Sequence, residues 1–305
     1  MKSNIFKAFP IIILSGMIFG SNLVVSRYSL GQFPPLAYIS LRFLIASIGY
    51  LGLYIIIKNR SFPKNPKVIF HACVYGIIGT AIPLSCSVYS MKYLSSGVTS
   101  LLITINPVLT VLLAHYTLRD EPLTWFKFLG AMIALLGAAL LIFRGETGLS
   151  DISGTNWTGY LLMVPVVLGL TLANIYARKF LMETNAMDGA AIRIMISAIV
   201  MTPLAFFTDS FHLQNVQTSG IIVLIYVSIV GTFIAFLLNF HIVKKYGATA
   251  VSTTTYISPV SATILGALFL NEEITILIII GMVIIFSGIA LMGYAPKNLK
   301  SVRHL

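Results

Sequence analysis

Apolar residues in this chain fall in long runs broken by short polar stretches, without the strict alternation of a half-buried strand. Ten runs are long enough for a helix to cross the hydrocarbon core of a bilayer, which takes about 20 residues. They cover 9–30, 36–57, 68–91, 94–117, 125–143, 157–179, 187–207, 219–243, 249–270 and 274–294. The predicted fold class is all-α, a polytopic membrane protein of ten transmembrane helices. Connections between the runs are short and carry most of the charge. The segment 144–156, RGETGLSDISGTN, is the one long enough to link two halves.

The polar landmarks inside the runs repeat. Tyr93–Phe143 holds an Asn106-Pro107 pair, a charged turn ending in Glu121 and Pro122, and then Gly130 and Gly137. Tyr246–Tyr294 holds Ser258-Pro259, Glu272-Glu273, Gly281 and Gly288. Pro107 to Pro259 and Glu121 to Glu273 are each 152 positions apart, and both glycine pairs are 151 apart. In the same register Asn22 falls on Asn174, Gly79-Thr80 on Gly231-Thr232, Arg27 on Lys179, Arg42 on Arg193 and Lys92 on Lys244. Matched leucines mean little in apolar segments, but matched Asn, Arg, Pro and Glu mark an internal duplication. Repeat 1 is assigned to 1–147 (spans 1–5), repeat 2 to 157–296 (spans 6–10), and a cytoplasmic tail to 297–305. Five spans is an odd number, so the second repeat enters the membrane in the opposite sense. Inverted five-helix repeats recur in secondary transporters.

Composition agrees. The chain is 57% hydrophobic and 10% charged, against about 25% charged in soluble domains. The net charge of +11 has no basic patch with interleaved aromatics to suggest nucleic acid, and its distribution explains it. With the N-terminus inside, the inner segments hold Lys2, Lys7, Lys58, Arg60, Lys64, Lys67, Arg119, Lys127, Arg178, Lys179, Lys244, Lys245, Lys297, Lys300 and Arg303. The outer segments hold Arg27, Lys92 and Arg144. This 15-to-3 bias orients both termini to the cytoplasm and suits a multi-pass protein of the cell membrane, inner or plasma. Cys73 and Cys86 share one span, point about 220° apart around it and are expected to stay unpaired.

Ten spans in two repeats, Phe19-Gly20-Ser21-Asn22 near the start and Leu41-Arg42-Phe43 in the second span resemble the drug/metabolite transporter superfamily. The block Gly97-Val98, Asn106-Pro107, Glu121, Gly130, Gly137 and its echo Ala250-Val251, Ser258-Pro259, Glu272-Glu273, Gly281, Gly288 are similar to its EamA-like branch. The resemblance covers almost the whole chain. It implies a metabolite transporter, often an exporter of amino acids or related compounds. It also implies a central cavity lined mainly by spans 1, 3, 4, 6, 8 and 9. One departure is Phe19, where the family's usual aromatic before the glycine is Trp.

A carrier needs a few polar groups at mid-membrane to replace the hydration of its substrate, each costly in hydrocarbon. Asn22 and Asn174, symmetry mates deep in spans 1 and 6, can both donate and accept; an interhelical hydrogen bond would serve them equally. Pro107 and Pro259 are expected to kink spans 4 and 9 and to free carbonyls near Ile103 and Thr255. Thr104, Asn106, Thr255, Tyr256 and Asn239 complete the substrate-binding candidates. Arg42 and Arg193 sit in spans 2 and 7, outside the lining set the resemblance implies, so a structural role is expected of them. An anionic substrate would need one of them in the cavity. Glu121 and Glu273 are expected to cap helix starts and pair with cations.

None of the nine acidic residues lies in the middle of a span. A proton-coupling role falls to His71, His115 or His241 if to any residue, so transport by facilitation or exchange is expected. No P-loop, HExxH or paired intramembrane carboxylates are present, and neither catalysis, a cofactor nor a metal is expected. The partners expected are a small-molecule substrate, the bilayer and a second copy in a homodimer, with no nucleic acid. Two competing functions are a carrier of anionic metabolites, such as a sugar phosphate or nucleotide conjugate, and a non-transporting receptor or subunit.

Overall fold

The ten apolar runs become ten helical spans in the computed structural model, three of them interrupted. Span 1 is α1 (Lys2–Ser29) and span 2 is α2 (Pro35–Ile56). Span 3 is α3 (Pro66–Gly76), a π-helical turn at Ile77–Ala81, and α4 (Ile82–Ser90). Span 4 is α5 (Ser96–Ile103) and α6 (Asn106–Thr117), span 5 is α7 (Trp125–Phe143), and span 6 is α8 (Trp157–Phe180). Span 7 is α9 (Ala186–Phe207). Span 8 is α10 (Thr218–Ser228), a π-helical turn at Ile229–Ile234, and α11 (Ala235–Tyr246). α12 (Ala248–Leu270) and α13 (Ile276–Met292) close the chain. Among the described residues, eight stretches, from Phe9–Ser29 to Thr218–Asn239, are long and apolar enough to cross a bilayer; the shorter apolar helices Thr254–Leu270 and Ile276–Met292 complete the ten.

The structure describes residues 2–56, 62–117, 123–150, 157–208, 210–211, 213–214, 216–246 and 248–293, without the side chains of 2–8, 186, 240, 243–244 and 248–253. Glu121, the cations Lys58, Arg60, Arg119, Lys297, Lys300 and Arg303, and the tail at 297–305 lie outside the described residues. So do the side chains of Lys2, Lys7 and Lys244.

Side-chain oxygens start several helices by accepting from the first free backbone N–H groups, which have no partner within the helix. Ser95 accepts from Val98 N, Thr124 from Lys127 N and Thr275 from Ile278 N. Thr124 and Thr275 are symmetry mates. The cap of α13 is therefore Thr275, not Glu273 as expected, because a hydroxyl one residue before the helix reaches its N–H groups directly.

Two apolar cores flank the molecule's middle. One gathers Leu101, Val108, Ala134, Leu141, Val166 and Ile285 from spans 4, 5, 6 and 10. The other gathers Tyr38, Phe43, Tyr50, Ile194, Ala198 and Val227 from spans 2, 7 and 8. Each core mixes both repeats, so neither half packs by itself. α7 and α13, symmetry mates, cross where Gly130 meets Gly288: a Cβ on Gly130 would strike the Gly288 carbonyl, and one on Gly288 would strike Ala134. Small residues let backbones approach where lipid provides no hydrophobic drive for helices to associate. Large apolar side chains such as Ile55, Phe143, Phe207 and Phe269 face outward, as a lipid-facing surface requires.

Candidate functional site

A cavity of about 480 Å³ lies between the two cores, walled by residues of both repeats. The π-helical turns shape its sides. Each is centred on a Gly-Thr pair, Gly79-Thr80 and Gly231-Thr232. A π turn carries one extra residue and leaves backbone carbonyls unmatched, and such turns are frequent at functional sites. The Thr232 hydroxyl meets part of that need by donating to Val227 O, five residues back, at 2.9 Å. Pro83 just beyond the first turn has Ala235 as its counterpart, so the shared Gly-Thr, rather than proline, goes with both.

Each threonine receives an arginine from the other repeat. Arg42 Nε donates to Thr232 Oγ1 at 2.8 Å, and Arg193 Nε donates to Thr80 Oγ1 at 2.9 Å. The two bonds are symmetry mates and cross-link the repeats. Arg42 also donates from Nη1 to Ser26 Oγ at 3.3 Å, and Arg193 from Nη1 to Tyr75 OH at 3.1 Å. Arg193 further lies 4.3 Å from the Phe236 ring centroid, a cation–π contact, and Phe236 meets Phe19 edge-on. Phe19, the family departure, is thus part of the wall. Both arginines line the cavity. The expectation that they stand outside it fails because spans 2 and 7 lie beside the π turns, within reach of a long side chain.

Six candidates from the sequence line the cavity: Asn22, Asn174, Thr104, Asn106, Asn239 and Thr255, with Pro107 beside them. Asn106 Oδ1 accepts from Thr110 Oγ1 at 3.2 Å, Thr171 Oγ1 at 3.1 Å and Asn174 Nδ2 at 3.3 Å. That leaves the Asn106 amide N–H groups without a bond among the described residues. Asn239 makes none there either. Thr104 Oγ1 turns back on Ser100 O at 2.8 Å. Span 4 breaks just before Asn106-Pro107, with Thr104 and Ile105 in a turn between α5 and α6. α12 instead runs unbroken through Pro259, which is buried and not among the lining residues. Tyr256 is not among them either, and its ring stands edge-on to Phe286 at 5.3 Å. The sequence reading passed over Thr80, Thr232, Ser100 and Ser258, which also line the cavity; the repeated Gly-Thr pair was the signal for the first two. His71 Nδ1 meets Tyr176 OH at 2.6 Å, a helix contact, and none of the three candidate histidines lines the cavity. Among the described residues no three His, Cys, Asp or Glu side chains come together.

The symmetry of the site is broken. Asn22 is buried, and its Nδ2 donates to Gly231 O at 2.9 Å. Its mate Asn174 is exposed and turns to Asn106 instead of Gly79. The face where α1 ends is sealed. There Arg27 Nε pairs with Glu272 Oε1 at 3.0 Å, and Arg27 Nη1 donates to Met91 O at 2.8 Å and Leu94 O at 2.7 Å. Glu272, buried, also accepts from Ser96 N at 2.8 Å and Ser96 Oγ at 2.7 Å. The inter-repeat loop joins this seal through Ser95 N to Thr147 O and Glu273 N to Gly148 O. The acid that takes the cation is therefore Glu272, not Glu273. Asn271 adopts φ +53°, and this left-handed residue turns the chain back over the end of α12. α5 rather than α6 packs on α12, so spans 4 and 9 meet near the sealed face.

Comparison with known proteins follows the same outline. A family model described as the EamA-like transporter family matches residues 7–143 and again 157–294. The uncharacterized transporter YoaV of Bacillus subtilis is 26% identical over 277 residues, covering 90% of this chain and 92% of its own. An uncharacterized transporter of Archaeoglobus fulgidus is 24% identical, covering 94% and 97%. The uncharacterized inner membrane transporter YedA of Escherichia coli K12 is 21% identical, covering 82% and 78%. A solved crystal structure superposes with a TM-score of 0.67 at 19% identity, over 96% of this chain and 98% of the other, a likeness of fold.

Proposed function

The chain belongs to the EamA-like transporter family, and from that premise we propose that it is a secondary carrier of small polar metabolites bearing a carboxylate, amino acids and related compounds among them. Alternating access moves the substrate around the mid-membrane cavity, outward or in exchange. The observation that supports this most is the pair Asn22 and Asn174. One sequence position occurs twice by symmetry, once buried against a π-turn carbonyl and once open to the cavity. A carrier that inverts its halves exchanges those two environments. In the cell membrane with both termini cytoplasmic, the Arg27 face is outer, and this conformation faces the cytoplasm.

Counterflow in proteoliposomes preloaded with a mixed pool of amino acids and small carboxylates tests the proposal. Saturable exchange is expected from the parent chain. Asn22→Ala and Asn174→Ala are each expected to lower it about tenfold, the worth of one hydrogen bond to a charged group. Flux absent for every solute in a verified reconstitution would overturn the carrier and favour a receptor or subunit.

A further inference from the structure

We infer that the cavity selects substrates of net negative charge over zwitterions and neutral solutes, and that Arg193 is the group that binds the anion. The inference rests on the carrier function proposed above and narrows its substrates to net anions, acidic amino acids included and zwitterionic ones disfavoured.

Arg42 and Arg193 are the only formal charges among the described lining residues. The cavity therefore holds two positive charges with no carboxylate to balance them. Their hydrogen-bond partners are all neutral hydroxyls: Thr232, Ser26 and Tyr38 for Arg42, Thr80 and Tyr75 for Arg193. A guanidinium has five N–H donors in a planar fork. In Arg193 the Nη2 group makes no bond to a described residue. An unbalanced charge at membrane depth is expensive, and a bound carboxylate or phosphate offsets it with paired, charge-assisted bonds.

The two arginines are not equivalent. Arg42 is 3% exposed, enclosed beside the buried Asn22. Arg193 is only part-buried and is steadied on Phe236. One helical turn beyond Phe236, on the same face of α11, stands Asn239 with its unbonded amide. Asn106 adds amide N–H donors to the same cavity. These donors line the same cavity as the one accessible cation. A zwitterion would bring an ammonium group to a site with two guanidiniums and no acidic side chain, so it loses to an anion of similar size. In the inverted conformation Arg42 takes the place of Arg193.

The test uses purified full-length chain in proteoliposomes, with radiolabelled three-carbon probes differing in charge: glycerol, alanine, lactate and glycerol 3-phosphate. Thermal shifts in detergent with the same probes, and with succinate, run in parallel. Lactate or glycerol 3-phosphate is expected to be taken up at least tenfold better than alanine or glycerol, and the preferred one identifies the anion as carboxylate or phosphate. An inside-negative potential should slow that uptake. Arg193→Gln should raise the half-saturating concentration at least tenfold with little change in maximal rate. Arg193→Lys should recover part of the loss. Preference for alanine or glycerol overturns the inference and leaves the carrier standing. So does an Arg193→Gln variant that lowers every probe equally, which marks a structural arginine. Absence of all flux, with thermal stabilisation by anions that Arg193→Gln abolishes, overturns the carrier and upholds the anion site. Absence of both overturns both.

Discussion

Single side chains here join the two repeats through hydrogen bonds that have little alternative in hydrocarbon. The Arg42–Thr232 and Arg193–Thr80 bonds are the clearest instance. A hydrogen bond to a charged group is worth about 1.5–3 kcal/mol, and a buried guanidinium donor has no water to fall back on. Thr232→Val keeps the shape and removes the acceptor. We expect it to destabilise the chain by about 1.5–3 kcal/mol, read as a lowered unfolding temperature in detergent, whereas Thr232→Ser stays close to the parent. Thr80→Val should cost less, because Arg193 is less buried and keeps Tyr75 and Phe236. Equal costs would refute the asymmetry between the two arginines. At this scale the sequence was only partly legible. Asn22, Asn106, Asn174 and Asn239 stand out because an amide in an apolar run needs a reason. Arg42 and Arg193 stood out too, but which way a helix rotates about its axis is fixed by packing, and spans apolar on all sides do not reveal it. Glu272 and Glu273 are adjacent, and only the left-handed backbone of Asn271 decides which one turns inward.

Elements show where length and pattern suffice and where they do not. All ten spans were read to within a few residues, since the bilayer sets the length and the runs are long. Asn106-Pro107 divides span 4, yet α12 passes through Pro259 as one helix. The π turns left no pattern beyond a repeated Gly-Thr, because one extra residue in a helix that is apolar all round shifts no visible stripe. Glycines are more informative when their surroundings are known. Gly130 and Gly288 lie where α7 and α13 nearly touch, whereas a Cβ on Gly52 meets nothing within 4 Å. Gly130→Val should therefore separate α7 from α13 and destabilise the fold by about 1–3 kcal/mol or more, as overpacking does. Gly52→Val on α2 should be nearly neutral. Thermal unfolding in detergent of the two variants side by side checks this, and comparable losses would show that helix propensity, not packing, decides.

For the whole molecule, the alternating access proposed above requires one face to be closed while the other is open. On the Arg27 face, Glu272 holds together the end of span 1, the start of span 4 and the turn after span 9, reinforced by the loop carrying Thr147 and Gly148. Its counterpart on the opposite face, around Glu121, lies outside the described residues. Breaking a buried ion pair by removing one partner costs about 3–5 kcal/mol. Spent on a seal rather than on a core, that loss appears as a shift in which face is open, since a population moves about tenfold for each 1.4 kcal/mol. Glu272→Gln is therefore expected to open the Arg27 face without unfolding the chain. Ser100 lines the cavity in α5, the half of span 4 nearest that face. With Cys73 and Cys86, both free, replaced by Ser, a Ser100→Cys reporter should react slowly with a membrane-impermeant maleimide applied from the Arg27 face. Adding Glu272→Gln should raise that rate at least tenfold, and Glu272→Asp should raise it less. An unchanged rate in a folded variant would mean that glycine contacts between α1 and α12, where Gly16 and Gly20 meet Ile257 and Ser261, hold the face shut, and the ion pair would then be a consequence of closure rather than its cause.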